Sequence, residues 1–389
     1  MDRISWSRLH EKRQWNLISL FLGFCSLIYS AGVRLRLMAY RKGLLKAKSL
    51  PAFVVSVGNI TAGGTGKTPF VAMLGDWASR REYSTAILSL GYKRKKSGRE
   101  SVVVSDGKGN ISSVYDAGDE PILLARKLPS TPVLISKDRY AIGEMAIRRF
   151  ASELLLLDDG YQYLALKRDL NVLLIDTKRQ FGNTSLLPLG PLREPFEGIK
   201  RADLIVLTRC SNNYREDELK EFLNKIVPTK PVVHSRHLPD KLLFPRTGEA
   251  HPPQILQEKH VMAFAGIANT DDFLEMITGL GAHVVGFKEY PDHYAYGASD
   301  FEELASWSKR SEVDFLLTTE KDWVRIDETV GAHLNIGVLA ITMELLEGDR
   351  GLFDIIEWGI QRSKVITNDG KSKKRDLTAG SAQDCSEIS

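Results

Sequence analysis

Cysteine is scarce: the 389 residues hold only Cys25, Cys210 and Cys385, far apart and in no pair with zinc-knuckle or CxxC spacing. A disulfide framework and a cysteine-built metal site are thereby excluded, and a reducing compartment or an organellar matrix is expected. There is no internal repeat. A global basic surface is also lacking. The net charge of +4 is concentrated in residues 1–48, where ten Lys/Arg face two acids, so the rest of the chain is weakly acidic. Nucleic acid is therefore not an indicated partner. The Asn-Lys-x-Asp pattern that reads guanine is missing too. In Thr319-Glu320-Lys321-Asp322 the Lys and Asp are adjacent, so GTP is not indicated.

What is present begins with an apolar run, Trp15 to Val33, preceded by Arg8, Lys12 and Arg13 and followed by Arg34, Arg36, Arg41 and Lys42. As a helix its nineteen residues would reach about 28 Å, barely a bilayer core. Asn16, Ser19, Gly23, Ser26 and Ser30 recur at helical spacing as one small, weakly polar stripe, suited to packing on a neighbouring helix or facing headgroups. A spanning helix and an in-plane anchor on anionic lipid are both open readings. A buried core helix and a mitochondrial presequence are also open, whereas a cleaved signal peptide lacks its small-x-small site.

The length suggests two domains. Apolar runs read as strands at 51–57, 85–90, 102–105, 132–135, 153–157, 171–175 and 203–207, with helical spacing between several of them. That alternation predicts an α/β fold of P-loop NTPase type, a mostly parallel sheet with helices on both faces. Periodicity loosens across 228–253, where six prolines fall, and a junction is expected there. A second, smaller α/β lobe follows, with Thr270 as the expected cap of a helix through Leu280. The expected organisation is a membrane-associated segment 1–48, a P-loop kinase domain 49–235, a second domain 236–363 and a polar, disordered tail 364–389.

Gly58 to Thr68 (GNITAGGTGKT) joins a predicted strand to a predicted helix. In such a turn backbone N–H groups point at phosphate oxygens, and glycines permit the angles and the close approach. Thr61, Gly63, Gly64, Thr65 and Gly66 are the expected cradle. Lys67 would reach the β- and γ-phosphates and Thr68 would ligate Mg²⁺. Thr61 stands where the strict pattern has glycine. Asp158 and Asp159 end an apolar strand, as carboxylates holding a Mg²⁺ shell do in P-loop folds. Asp119, in Gly118-Asp119-Glu120-Pro121, reads either as a helix cap or as a general base. His293, in Tyr290-Pro291-Asp292-His293, reads as structural or as a catalytic partner.

Together these segments resemble the tetraacyldisaccharide 4'-kinase family. The matching pieces are VGNITAGGTGKTP (57–69), LGY (90–92), AGDEP (117–121), DDGYQ (158–162), RDLNVLLID (168–176), FGNTSLLPLGPLREP (181–195), AFAGIAN (263–269), YPDH (290–293) and TEKD (319–322). They are in order and span roughly residues 57–322, about two-thirds of the chain. The resemblance implies ATP and Mg²⁺ as cofactors and phosphorylation of the 4'-hydroxyl of a tetraacyl glucosamine disaccharide 1-phosphate to lipid IVA, between two α/β lobes with an N-terminal helix on the membrane. It implies Lys67 and Thr68 on phosphate and metal, Asp158, Asp159 and Glu120 around the Mg²⁺, Asp119 as base with His293 across the cleft, and Arg193 and Glu194 lining the site. No protein partner is expected. The location implied is the cytoplasmic face of a bacterial inner membrane, or a mitochondrion in a plant. The family commonly has His where this chain has Tyr163, which predicts altered selectivity or activity. A kinase for another glycolipid, and a membrane-docked nucleotide switch or ATPase, are the alternatives.

Overall fold

The structure is a computed structural model that describes residues 17–91, 101–210, 216–327, 334–347 and 351–364. The basic residues before Trp15, Tyr92 of the LGY segment and the tail beyond residue 364 lie outside these. Among the described residues the strands are β1 (Phe53–Gly58), β2 (Thr85–Ser89), β3 (Val102–Ser105), β4 (Val133–Ile135), β5 (Leu154–Asp158), β6 (Leu170–Asp176), β7 (Leu204–Thr208), β8 (Val232–Phe244), β9 (Glu249–His251), β10 (His260–Ala265), β11 (His283–Glu289), β12 (Phe315–Thr319) and β13 (Ile336–Glu347). The helices are α1 (Leu17–Arg41), α2 (Lys67–Arg80), α3 (Val114–Ala117), α4 (Asp119–Lys127), α5 (Arg139–Phe150), α6 (Glu216–Ile226), α7 (Thr270–Gly279), α8 (Ala298–Arg310), α9 (Glu320–Trp323) and α10 (351–364).

All the strands join one sheet in the order β11-β10-β12-β13-β8-β7-β6-β1-β5-β2-β4-β3, with β9 paired to β8. Neighbours are parallel except β3/β4, β8/β9 and β8/β13. β1 and β5 are buried along their whole length. That is why both read as unbroken apolar runs rather than alternating ones. One face of the β1 region packs on α2, α4 and α10 through Phe70, Leu74, Ile122, Leu124, Leu352 and Ile356, and the other packs on α5 through Ile142 and Ala146. The helices thus cover both faces, as the alternation predicted.

The region around 228–253 is built differently from the expected loose junction. It holds β8, whose thirteen residues pair antiparallel with β13 and tie the two halves of the sheet together. Pro239 sits at a register shift opposite Ile341, where a missing N–H costs the ladder least. The proline-rich composition hid the strand. The expected boundary at 236 falls inside β8, and α10 packs on the core around β1 rather than on the second lobe. Thr270 is the first residue of α7, capped by position 269, and its hydroxyl donates to Glu289 (3.0 Å).

Helix α1 is long and apolar enough to cross a bilayer. It lies against the body of the protein. The Ser26 hydroxyl donates to the Leu186 carbonyl (2.9 Å), Tyr29 Oη to the Arg193 carbonyl (2.8 Å) and Arg36 to the Gln162 carbonyl (3.1 Å). Ser19, Leu22 and Ser26 form its buried edge, and Gly23 approaches Leu189. Gly23 and Ser26 of the small stripe therefore face the 186–193 loop, while Asn16 lies outside the described residues. The opposite face, with Leu20, Phe21, Phe24, Leu27 and Ile28, is open.

Candidate active site

The strands β1 and β5 end side by side, with Val57 opposite Asp158. Ligands in open α/β sheets bind at such carboxyl ends. A cavity of about 740 Å³ opens there between the β1 region and the second lobe. It is lined by Gly63 to Thr68, Glu120, Asp158, Asp159, Arg193, Arg209, His237, Asn269, Asp292, His293 and Lys321, among others.

The cradle takes the shape its glycines allow. Gly63 and Gly66 have φ of +112° and +83°, the left-handed region that side chains avoid. At Gly66 a Cβ would also lie 2.9 Å from His237 Nε2 and 3.1 Å from Met343. Asn59 donates to Thr65 Oγ1 (2.9 Å), and the Gly64 carbonyl accepts from Arg209 (2.8 Å) and Asn269 (3.2 Å). None of these bonds uses a backbone N–H of residues 63–66. Thr61 differs from expectation. It is 8% exposed and lies outside the cavity wall, because it pairs as an isolated bridge with Leu192. The Ala62 N–H donates to the Pro191 carbonyl and the Arg193 N–H to the Ile60 carbonyl, both at 2.7 Å. The GPLREP segment is thus an extended brace along the first half of the cradle, which explains a β-branched residue where glycine is usual.

Glu120, Asp158 and Asp159 line the same cavity, and the last two are in unequal states. Asp159 takes φ of +52°, accepts two bonds from Arg193 (2.9 and 2.8 Å) and lies 3.6 Å from Lys67 Nζ. Burial would raise its carboxyl, but Lys67 and Arg193 outweigh it and hold the pKa down at about 2. Asp158 is 1% exposed and accepts from Ser89 (3.1 Å). Burial first, then the Glu120 and Asp159 charges, push its pKa up to about 7. Lys67 thus has a carboxylate partner in Asp159, 3.6 Å away.

The state of Asp158 bears on stability. Its folded pKa lies above the unfolded value of 3.8, so its contribution is complete below pH 4 and is lost as pH rises through 7. The nucleotide-free protein is expected to lose on the order of 1–4 kcal/mol between pH 5 and 8 from this group. Urea unfolding at the two pH values should show the fall in wild type and its disappearance in Asp158→Asn.

Asp119 lies directly behind His293. It opens α4, is 6% exposed and is absent from the cavity wall. His293, which does line the wall, has Nδ1 2.6 Å from Asp119 Oδ2. Burial alone would raise the Asp119 carboxyl. The bond to His293, with Lys321 and Arg325 nearby, outweighs burial and holds it below the usual range. The carboxylate is therefore ionised and orients the imidazole from behind. His293 itself has φ of +63°, in the left-handed region that few non-glycine residues adopt. The loop is fixed by its N–H to the Gly266 carbonyl (3.1 Å). The TEKD segment supports it from below. Asp322, fully buried, accepts from the Gly266 N–H (2.9 Å), from Tyr296 (2.8 Å) and from Arg325. Glu194 also lies back from the cavity, 2% exposed and held by Gln162 (2.8 Å) and Arg201 (2.7 Å).

Sequence reasoning passed over Arg209, Asn269 and His237. Asn269 closes the quoted AFAGIAN segment, and that was its only signal. Arg209 and His237 become visible only once β7 and β8 stand beside the cradle.

The fold and site define a P-loop phosphotransferase: a phosphate cradle with its lysine, strand-end carboxylates, and a His–Asp pair across the same cavity. The comparisons carry the assignment further. The chain belongs to the LpxK family, tetraacyldisaccharide-1-P 4'-kinase, whose model matches residues 18–358. It is 37% identical over 349 residues to the tetraacyldisaccharide 4'-kinase of Syntrophus aciditrophicus, covering 87% of this chain and 93% of that one. It is 40% identical over 311 residues to the enzyme of the same name from Pelobacter propionicus, covering 80% and 84%. The crystal structure of LpxK from Aquifex aeolicus in complex with ATP has a TM-score of 0.70 at 34% identity and covers 88% of this chain and all of that one.

Proposed function

We propose that this chain transfers the γ-phosphate of ATP to the 4'-hydroxyl of a tetraacyl glucosamine disaccharide 1-phosphate, giving lipid IVA. The observation that carries the reading is the juxtaposition of Lys67 and the Gly63–Gly66 cradle with His293, backed by Asp119, around one cavity. Family membership supports the acceptor, and the ATP complex of the Aquifex protein supports the donor.

Phosphoryl transfer needs positioning and charge neutralisation more than covalent participation. The cradle N–H groups and Lys67 hold the β- and γ-phosphates, and Arg193 keeps Asp159 in place when Lys67 turns to phosphate. The acceptor hydroxyl gives its proton late to the His293–Asp119 pair, the imidazole taking it and the buried carboxylate balancing the charge. Mg²⁺ suits the oxygen donors of Thr68, Asp158 and Glu120, whose crowded carboxylates raise Asp158 and call for a cation. Among the described residues no group of three or more His, Cys, Asp or Glu side chains is placed to hold a metal ion. Such an ion would neutralise charge on the β- and γ-phosphate oxygens.

The open face of α1 suits in-plane insertion into one leaflet, since its other edge is occupied by the protein itself. A bacterial enzyme of this kind would lie on the cytoplasmic face of the inner membrane, and a plant one in the mitochondrion. Phe21→Asn, Phe24→Asn and Leu27→Asn are each expected to cut vesicle partitioning at least tenfold, from about 2 kcal/mol of lost apolar burial apiece. Flotation with neutral vesicles measures this.

The function is tested by ADP release with and without acceptor in mixed micelles. Turnover should depend on the acceptor; turnover indifferent to it would favour a switch or ATPase.

A further inference from the structure

Behind the His293–Asp119 pair stands an arginine that does not line the cavity. Arg325 lies in the turn that follows α9, with its side chain 7% exposed. We propose that Arg325 is a positioning residue for the phosphoryl transfer, holding the imidazole of His293 from two sides at once. The proposal rests on the kinase reading above and deepens it.

The first hold runs through the main chain. Arg325 Nη2 donates to the Gly266 carbonyl (2.9 Å), and the same carbonyl accepts the His293 N–H (3.1 Å). One oxygen thus ties the guanidinium to the residue that takes the proton. The close fit at this point excludes a side chain. A Cβ on Gly266 would lie 3.0 Å from the Pro291 carbonyl oxygen and 3.2 Å from Asp322 Oδ1.

The second hold runs through Asp119. Its Oδ1 accepts from the Glu120 N–H (3.0 Å). Its Oδ2 lies 2.6 Å from His293 Nδ1 and 3.9 Å from Arg325 Nε. One carboxylate oxygen therefore meets both the imidazole and the guanidinium. Asp119 stands on α4 beside the β1 region, whereas His293, Gly266 and Arg325 belong to the second lobe, so the contact is made across the cavity's two walls. With Oδ2 fixed, the imidazole keeps its proton on Nδ1 and presents Nε2 to the acceptor.

Arg325 is itself held firmly enough to do this. Its Nε donates to the Lys321 carbonyl (3.2 Å), and its Nη2 pairs with the fully buried Asp322. The planar fork of a guanidinium can serve a carbonyl and two carboxylates together, which a point charge cannot. Little water reaches these groups, so their attraction is weakly screened.

The test uses the full chain in mixed micelles with ATP and the acceptor. Arg325→Gln/Asp322→Asn removes the guanidinium without stranding a buried carboxylate, and Asp322→Asn alone is its reference. Relative to that reference kcat is expected to fall about 10- to 100-fold, the scale of one charged contact. KM for ATP and for the acceptor should stay within about twofold. Arg325→Lys, which keeps the cation and loses the fork, should lose only about fivefold. In a His293→Ala background each of these changes should cost less than about twofold, because Arg325 acts through the imidazole. An unchanged kcat overturns the proposal. A rise in KM overturns it by placing Arg325 on a substrate, and an equal fold-loss without His293 overturns it by making the role structural. If the pair variant does not fold, Arg325→Lys with and without His293 decides by the same outcomes. Wild type that turns over ATP without phosphorylating the acceptor overturns the kinase reading; wild-type transfer beside an unimpaired variant overturns this proposal alone.

Discussion

Lys67→Ala is expected to lower kcat by about 10³-fold, the scale of removing one preorganised charge from a phosphoryl-transfer site. Lys67 lies at the start of α2 with its side chain 13% exposed and Asp159 3.6 Å away. Its removal leaves Asp159 still held by Arg193 (2.8 Å), so the fold should survive and the melting temperature should shift little. Lys67→Arg is not expected to rescue, because a planar fork cannot replace a point charge in so close a cradle. Single-turnover kinetics at saturating ATP separate this loss from weaker binding. A kcat within tenfold of wild type would remove Lys67 from the chemistry.

Breaking the pair across the cavity should cost nearly as much. His293→Ala and Asp119→Asn are each expected to lower kcat by about 10²- to 10⁴-fold, the span of general acid–base catalysis. The double variant should be little worse than His293→Ala alone, since Asp119 acts through the imidazole. The bond that joins them is 2.6 Å long and partly buried, and KM for ATP should be unaffected because neither residue belongs to the cradle. Additive losses would mean that Asp119 and His293 act separately.

The sequence disclosed the halves of this site but not their assembly. β1, the glycine turn and α2 were readable because a buried parallel strand is an unbroken apolar run and glycine marks the strained turn. Asp158 and Asp159 were readable as the end of such a run. β8 was not, because Pro239 and the polar residues of a partly exposed strand erase the pattern. Thr61 read as a flawed cradle position because its partner, Leu192, is distant in sequence. Asp119 was named but assigned to the acceptor, since no local pattern reports that α4 opens beneath a histidine more than 170 residues away. The same holds for Asp322, a carboxylate in a quoted motif whose work is to hold the His293 loop.

Phosphorus NMR of the lipid after incubation with ATP tests the central claim most directly. The account predicts one new monoester resonance on the sugar's 4'-carbon, formed in step with ADP by wild type and lost in Lys67→Ala. Inorganic phosphate accumulating while the lipid stays unmodified would contradict it.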